Sequence, residues 1–103
     1  MSNLAIPKIK DLEASAERAA DLLATMSNKH RLLILCRLVE GEVHAGALAD
    51  ESGLSQSALS QHLAKLREAG IVTTRRDAQM IYYRLSSPEA EAVLKTLYQI
   101  YCA

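Results

Sequence analysis

LSQSALSQHLAKLREAGIV, residues 54–72, is the stretch that decides the fold. Ser55 stands in the position of a helix cap. From Gln56 to Ala69, Leu59, Leu63 and Leu66 recur at helical spacing and make one inward stripe. Gly70 stops the helix, and Ile71-Val72 opens a β-branched run. Advancing about 100° per residue, Ser57, Ser60, Gln61 and Ala64 gather on the side away from the leucines. That outer face lacks bulk and is rich in hydrogen-bonding groups, as a helix entering a major groove must be. A plainly solvated face is the alternative reading of the same residues.

The flanking residues favour the first reading. Upstream, Ala45 to Glu51 predicts a short helix with Leu48 pointing inward. Gly53 then gives a tight turn before the new cap at Ser55, so residues 45–69 form a helix-turn-helix. Downstream, Ile71-Val72-Thr73-Thr74-Arg75 and Met80-Ile81-Tyr82-Tyr83-Arg84-Leu85 predict a hairpin over 71–85. Its turn, Arg76-Asp77-Ala78-Gln79, lacks the favoured glycine. A second helix, capped by Ser27 or Asn28 and ending near Gly41, carries the apolar run Leu32-Leu33-Ile34-Leu35-Cys36 and should be central. Before it, Leu12, Ala16, Ala19, Leu23 and Met26 predict one amphipathic helix from Lys8 to Met26. Residues 1–7 look frayed. The last helix, over 87–102, starts at Ser86 or Ser87 with Pro88 at its first position. Ala90, Val93, Leu94, Leu97, Ile100 and Tyr101 make its apolar face. The expected fold is mainly α with a β-hairpin wing, ordered α-α-α-α-β-β-α. It is a single winged helix-turn-helix domain spanning 1–103.

Composition sets the bounds. At 103 residues, half of them hydrophobic, the chain has room for one core and no more. It holds no Phe or Trp, so Leu, Ile, Val, Ala, Met and four Tyr must fill that core. No apolar run approaches the roughly 20 residues of a membrane helix, and no leader pattern opens the chain. The expected location is cytoplasmic. Net charge is zero, but the distribution is uneven: residues 55–85 carry five Lys or Arg against two acids. Binding phosphate needs local positive charge, not a basic whole.

Each candidate residue has its place in this scheme. Ser55 and Gln56, with the first N–H groups of their helix, suit a phosphate. Ser57, Ser60 and Gln61 suit base edges, and Lys65 adds charge beside them. Arg75, Arg76 and Gln79 lie near the wing tip, where they can follow the backbone or minor groove. The alternative is a hairpin edge blunted by charge. Arg84 fits either role. His62 sits at the edge of the leucine stripe and reads as a hydrogen bonder of the core margin. His30 and Arg31 begin the central helix, and His44 stands alone in a loop. The two cysteines, Cys36 and Cys102, form neither CxxC nor a secreted disulfide framework. Cys102 follows Leu94 by eight residues and Tyr98 by four, so it should extend the apolar face of the last helix inward. Arg37 would favour a Cys36 thiolate, whereas apolar surroundings would oppose it.

Residues 54–72, the wing at 75–85 and the stretch Leu22 to Cys36 together resemble the ArsR/SmtB family of repressors, and the likeness spans most of 16–102. Leu35-Cys36, Val39-Glu40-Gly41-Glu42 and Tyr101-Cys102 are similar to the group within it that includes HlyU, BigR, SqrR and YgaV. The resemblance implies a homodimer packed through the first and last helices, bound to double-stranded DNA at an imperfect palindromic operator. It also implies sensing of reactive sulfur or oxidants by Cys36 and Cys102. The chain departs from metal-sensing relatives, whose third helix carries paired cysteines and whose last helix carries histidine ligands. Neither appears in Glu42 to Leu48 or in the last helix. The expectation is therefore no cofactor and no resident metal, with a metal-responsive repressor as the alternative. An antirepressor that displaces another DNA-bound protein also fits. A thiol enzyme does not, because neither cysteine has a catalytic helper beside it in sequence.

Overall fold

The computed structural model describes residues 8–102, so residues 1–7 lie outside the described residues. The elements run α1 (Ile9–Glu13), α2 (Ala16–Met26), α3 (Lys29–Val39), β1 (Val43–His44), α4 (Ala45–Ser52), α5 (Gln56–Glu68), β2 (Val72–Asp77), β3 (Met80–Leu85) and α6 (Pro88–Tyr101). The caps follow the sequence closely. Asn28, not Ser27, caps α3, its side chain accepting from the N–H groups of His30 and Arg31. Ser55 caps α5 by accepting from Ala58 N–H, and Ser87 caps α6 by accepting from Ala90 N–H. Each satisfies a donor that the first turn would otherwise leave without a partner.

Two expectations are corrected. The helix expected from Lys8 to Met26 is broken at Ala14–Ser15 into α1 and α2. No residue of α1 is buried, so no packing opposes the low helix preference of serine. The stripe read from the sequence is only partly used. Met26 is buried and Leu22 packs against the core, but Leu12 and Leu23 are exposed. The second correction is β1, two residues that add a third strand to the hairpin. The sheet is antiparallel in the order β1-β3-β2, with Val43 opposite Tyr83 and His44 opposite Tyr82. So short a strand has no periodicity to betray it, and buried Val43 fastens it to the core.

The wing itself is regular. Thr74 faces Tyr83, Arg75 faces Tyr82, and Asp77 faces Met80 across a two-residue turn. Ala78 in that turn has φ +57°, the left-handed region that a two-residue hairpin demands and that glycine would fill at lower cost. Gly53, at φ +69°, makes the tight turn between α4 and α5. The core joins Ile34, Leu35 and Leu38 of α3 to Leu59, Leu63 and Leu66 of α5, with Leu48, Val72 and Leu94 closing its sides. Against this core α5 keeps its other face in solvent, and the wing stands beside it.

Candidate nucleic-acid interface and cysteine pair

The core fixes α5 through its three leucines, and the opposite face is left open. Gln56, Ser57, Ser60, Gln61, Ala64 and Lys65 are all exposed. Ser55 is exposed too, but its hydroxyl is committed to the cap, 3.1 Å from Ala58 N. One flank of α5 meets the wing. Ser60, Ala64, Arg67 and Glu68 line a groove there with Tyr83 of β3. Arg67 was not singled out in the sequence, where it reads as one more charged residue near a helix end.

The wing arginines divide. Arg76 and Gln79 are exposed near the tip. Arg75 is held back: its Nε and Nη2 each donate to a Glu42 carboxylate oxygen at 2.8 Å. Its guanidinium also lies over the Tyr82 ring, 4.4 Å from the centroid. The hydrogen bonds to Arg75 hold the Glu42 carboxyl below its ordinary range, against a weaker opposing effect of burial. Arg75 thus clasps the wing to the segment before β1. No sequence signal joins these partners, which stand 33 residues apart. His44 lies beside this clasp, its ring 5.6 Å from that of Tyr82.

His62 sits where the sequence placed it, at the core margin, with its Nδ1 3.3 Å from Arg31 Nη1. The ring of His30 is 5.7 Å away. Burial, then the positive charges of Arg31, His30 and Lys65, push His62 below the usual histidine value.

Cys36 on α3 and Cys102 at the end of α6 are both free thiols and both exposed. Cys102 does not extend the apolar face into the core, as its spacing had suggested. The helix carries Ala90 and Leu94 into the core, then runs out past it, leaving Tyr98, Ile100 and Tyr101 63–80 % exposed. The two helices nonetheless pack together. Partial burial, and after it the charge of Cys102, push the Cys36 thiol up. Arg37 offers little opposing help, because Glu51 holds its Nε at 2.8 Å and Glu40 lies at 3.8 Å. Among the described residues no three His, Cys, Asp or Glu side chains converge to hold a metal ion, and no helix is long and apolar enough to cross a membrane.

The family model for bacterial regulatory proteins of the arsR family matches residues 28–74, from the cap of α3 into β2. The transcriptional activator HlyU of Vibrio cholerae is 46 % identical over 94 residues, which cover 91 % of this chain and 87 % of that protein. The chain belongs to the arsR family. The biofilm growth-associated repressor of Xylella fastidiosa is likewise 46 % identical, covering 91 % of this chain and 82 % of that protein. The crystal structure of the Xylella fastidiosa repressor BigR superposes with a TM-score of 0.88 at 44 % identity, over 94 % of this chain and 99 % of that one. Reduced HlyU from Vibrio cholerae superposes at 0.85 and 46 % identity, over 91 % of this chain and 99 % of that one. This arsR-family chain is a winged helix-turn-helix transcriptional regulator that binds double-stranded DNA, and not an enzyme.

Proposed function

We propose that this arsR-family regulator binds an imperfect palindrome as a homodimer and releases it when Cys36 and Cys102 become joined. The observation that carries the reading is the pair of exposed free thiols on two helices packed together, α3 and α6. HlyU, a relative, has been solved in a reduced form, which supports a thiol-based signal. Reaction with a persulfide, RSSH, transfers its outer sulfur: one cysteine thiol becomes Cys–SSH and RSH leaves. The second cysteine then attacks the inner sulfur, a disulfide forms and H2S departs. The cysteine pair is oxidised and the transferred sulfur is reduced, whichever thiol reacts first. A peroxide reaches the same disulfide through a sulfenic acid, with water as the final leaving group.

The exposed apolar residues Leu12 and Leu23 at one end, and Tyr98, Ile100 and Tyr101 at the other, fit the proposed dimer surface. A bridge that ties α6 to α3 would act on that surface. It would shift the two α5 helices relative to half-sites about one DNA turn apart. The test is DNA binding and intact mass before and after a persulfide donor, with sedimentation at micromolar concentration. The unaltered chain should be dimeric, gain a bridge and lose affinity, and recover both mass and binding on reduction. Cys36→Ser and Cys102→Ser should each bind like the reduced chain and ignore the donor. A double variant that still releases DNA on treatment, or a stable monomer, would overturn the reading.

In the same reading Ser57, Ser60 and Gln61 face the base edges, Gln56 meets a phosphate at the start of α5, and Lys65, Arg76 and Gln79 reach the backbone. Ser55 serves by capping α5, and Arg75 by fastening the wing to Glu42. Arg76→Ala should lower the slope of log K against log salt by about 1.8, two phosphates' share, because the dimer carries the residue twice. Arg75→Ala should leave that slope unchanged, because its charge is spent on Glu42. Equal changes from the two variants would show that Arg75 leaves Glu42 for DNA.

A further inference from the structure

We propose that Arg31 and His62 are positioning residues for DNA reading: Arg31, seated on the end of α2, holds the flank of α5 through an uncharged His62, and proton uptake by His62 loosens the reading helix. The proposal rests on the DNA-binding face assigned to α5. Leu59, Leu63 and Leu66 press that helix to the core, but apolar contact is non-directional. It sets how deep α5 sits, not how far it is rolled about its axis. Side chains that read base edges must be held to within about 0.5 Å, so the roll matters. Among the described residues, His62 is the one side chain of α5 that hydrogen-bonds to another element, and no ion pair involves α5. It directly follows Gln61, half-buried between the leucine stripe and the outward face.

The partner of His62 is itself anchored. Asn28 accepts from the N–H groups of His30 at 2.9 Å and Arg31 at 3.1 Å, which fixes the first turn of α3. Arg31 Nε donates to the Thr25 carbonyl near the end of α2, and Arg31 Nη1 lies 3.3 Å from His62 Nδ1. One half-buried guanidinium therefore joins α2, α3 and α5. A guanidinium has no acceptor, so Nδ1 must be the acceptor of that bond, and the ring is neutral with its hydrogen on Nε2. A protonated ring donates at both nitrogens: the bond is lost and two cations face each other. The titratable groups of the cluster are Arg31 and His30 of α3, with the His30 ring 5.7 Å from that of His62, and Lys65 of α5. Among the described residues α2, α4 and β2, the other elements packed on α5, bring no charge to it. Burial, then Arg31, His30 and Lys65, hold His62 below the usual histidine value. The neutral, bonded form is thus complete above about pH 6.5 and gives way as pH falls through the lowered value.

The experiment uses the full chain, a random-sequence duplex, and a duplex enriched from a randomised pool by binding to the unaltered chain. The readout is the ratio of the two affinities, which cancels the general tightening on DNA that added positive charge brings at low pH. At about pH 8, His62→Ala should lower this preference about tenfold per half-site, the worth of one hydrogen bond to a charged group. Arg31→Lys, which keeps the charge but cannot span Thr25 and His62, should do the same. His62→Gln, whose side-chain carbonyl can still accept from Arg31, should restore the preference and free it from pH. In the unaltered chain the preference should fall between about pH 8 and about pH 5, and the same fall should persist in His30→Gln. A purely structural role would lower Tm without a pH-dependent preference. Circular dichroism checks folding, and if His62→Ala does not fold, the profiles of the unaltered chain and His62→Gln decide alone. A preference that ignores pH in the unaltered chain, or survives in folded His62→Ala, overturns the proposal. So does a salt slope that steepens at low pH on both duplexes in the unaltered chain but not in His62→Gln, which would make His62 a phosphate contact. If Ser57→Ala with Gln61→Ala leaves the preference intact, it is the assignment of α5 as the reading helix that fails.

Discussion

Leu35→Ala is expected to lower the free energy of unfolding by about 2–5 kcal/mol, whereas Leu33→Ala should move it by about 0.5 kcal/mol or less. The two residues sit two apart on α3, in one apolar run. Leu35 is completely buried and Leu33 is 59 % exposed. Truncating Leu35 removes methyl groups from the middle of a close-packed core, and the cavity left behind adds to the lost transfer energy. A domain of this length has little reserve, with a total of about 5–15 kcal/mol. Each kcal/mol lost should lower Tm by about 4–8 °C. Thermal melts followed by circular dichroism measure both variants. Equal shifts would mean that α3 is turned differently from the orientation described.

That pair also shows where the sequence stops informing. The run Leu32 to Cys36 announces a central helix, but so apolar a stretch does not say which side is inside. In α5 the contrast of leucine with serine and glutamine leaves no such doubt, and its buried face is the one its spacing predicts. Caps were legible for a local reason: Asn28, Ser55 and Ser87 bond to amides two or three residues away. The break at Ser15 was hidden because the apolar spacing continues through it. Only the absence of a packing partner shows that α1 and α2 need not be one helix.

At the candidate site the division is between local and distant partners. The outward face of α5 follows from helix period alone. The fate of Arg75 depends on Glu42, and the cluster on α3 depends on a fold that brings His62 to Arg31, 31 residues away in sequence. The cysteines fall between these cases. Their pairing as a switch is implied by resemblance, not by spacing. The spacing of Cys102 in fact pointed inward, while α6 carries it beyond the core into solvent. An apolar helix face can be made for a partner as well as for the chain's own interior, and periodicity does not distinguish the two.

Ser57→Ala with Gln61→Ala is expected to remove most of the preference for a duplex enriched from a randomised pool by binding to the unaltered chain over a random one. Both side chains stand on the outward face of α5, and both are exposed. A serine hydroxyl or glutamine amide that loses its base edge leaves discrimination reduced by roughly 1–3 kcal/mol per contact, or roughly 5- to 150-fold. Neither residue carries charge, so affinity for the random duplex and the salt slope should stay where they were, because those report phosphates. Stability should change little, since the core stripe of Leu59, Leu63 and Leu66 is untouched. Competition binding with the two duplexes separates these effects in one titration. A uniform loss on both would mean that the residues position the backbone and do not read sequence. An undiminished preference would mean that α5 does not face the base edges, and the groove contacts would then have to come from another element.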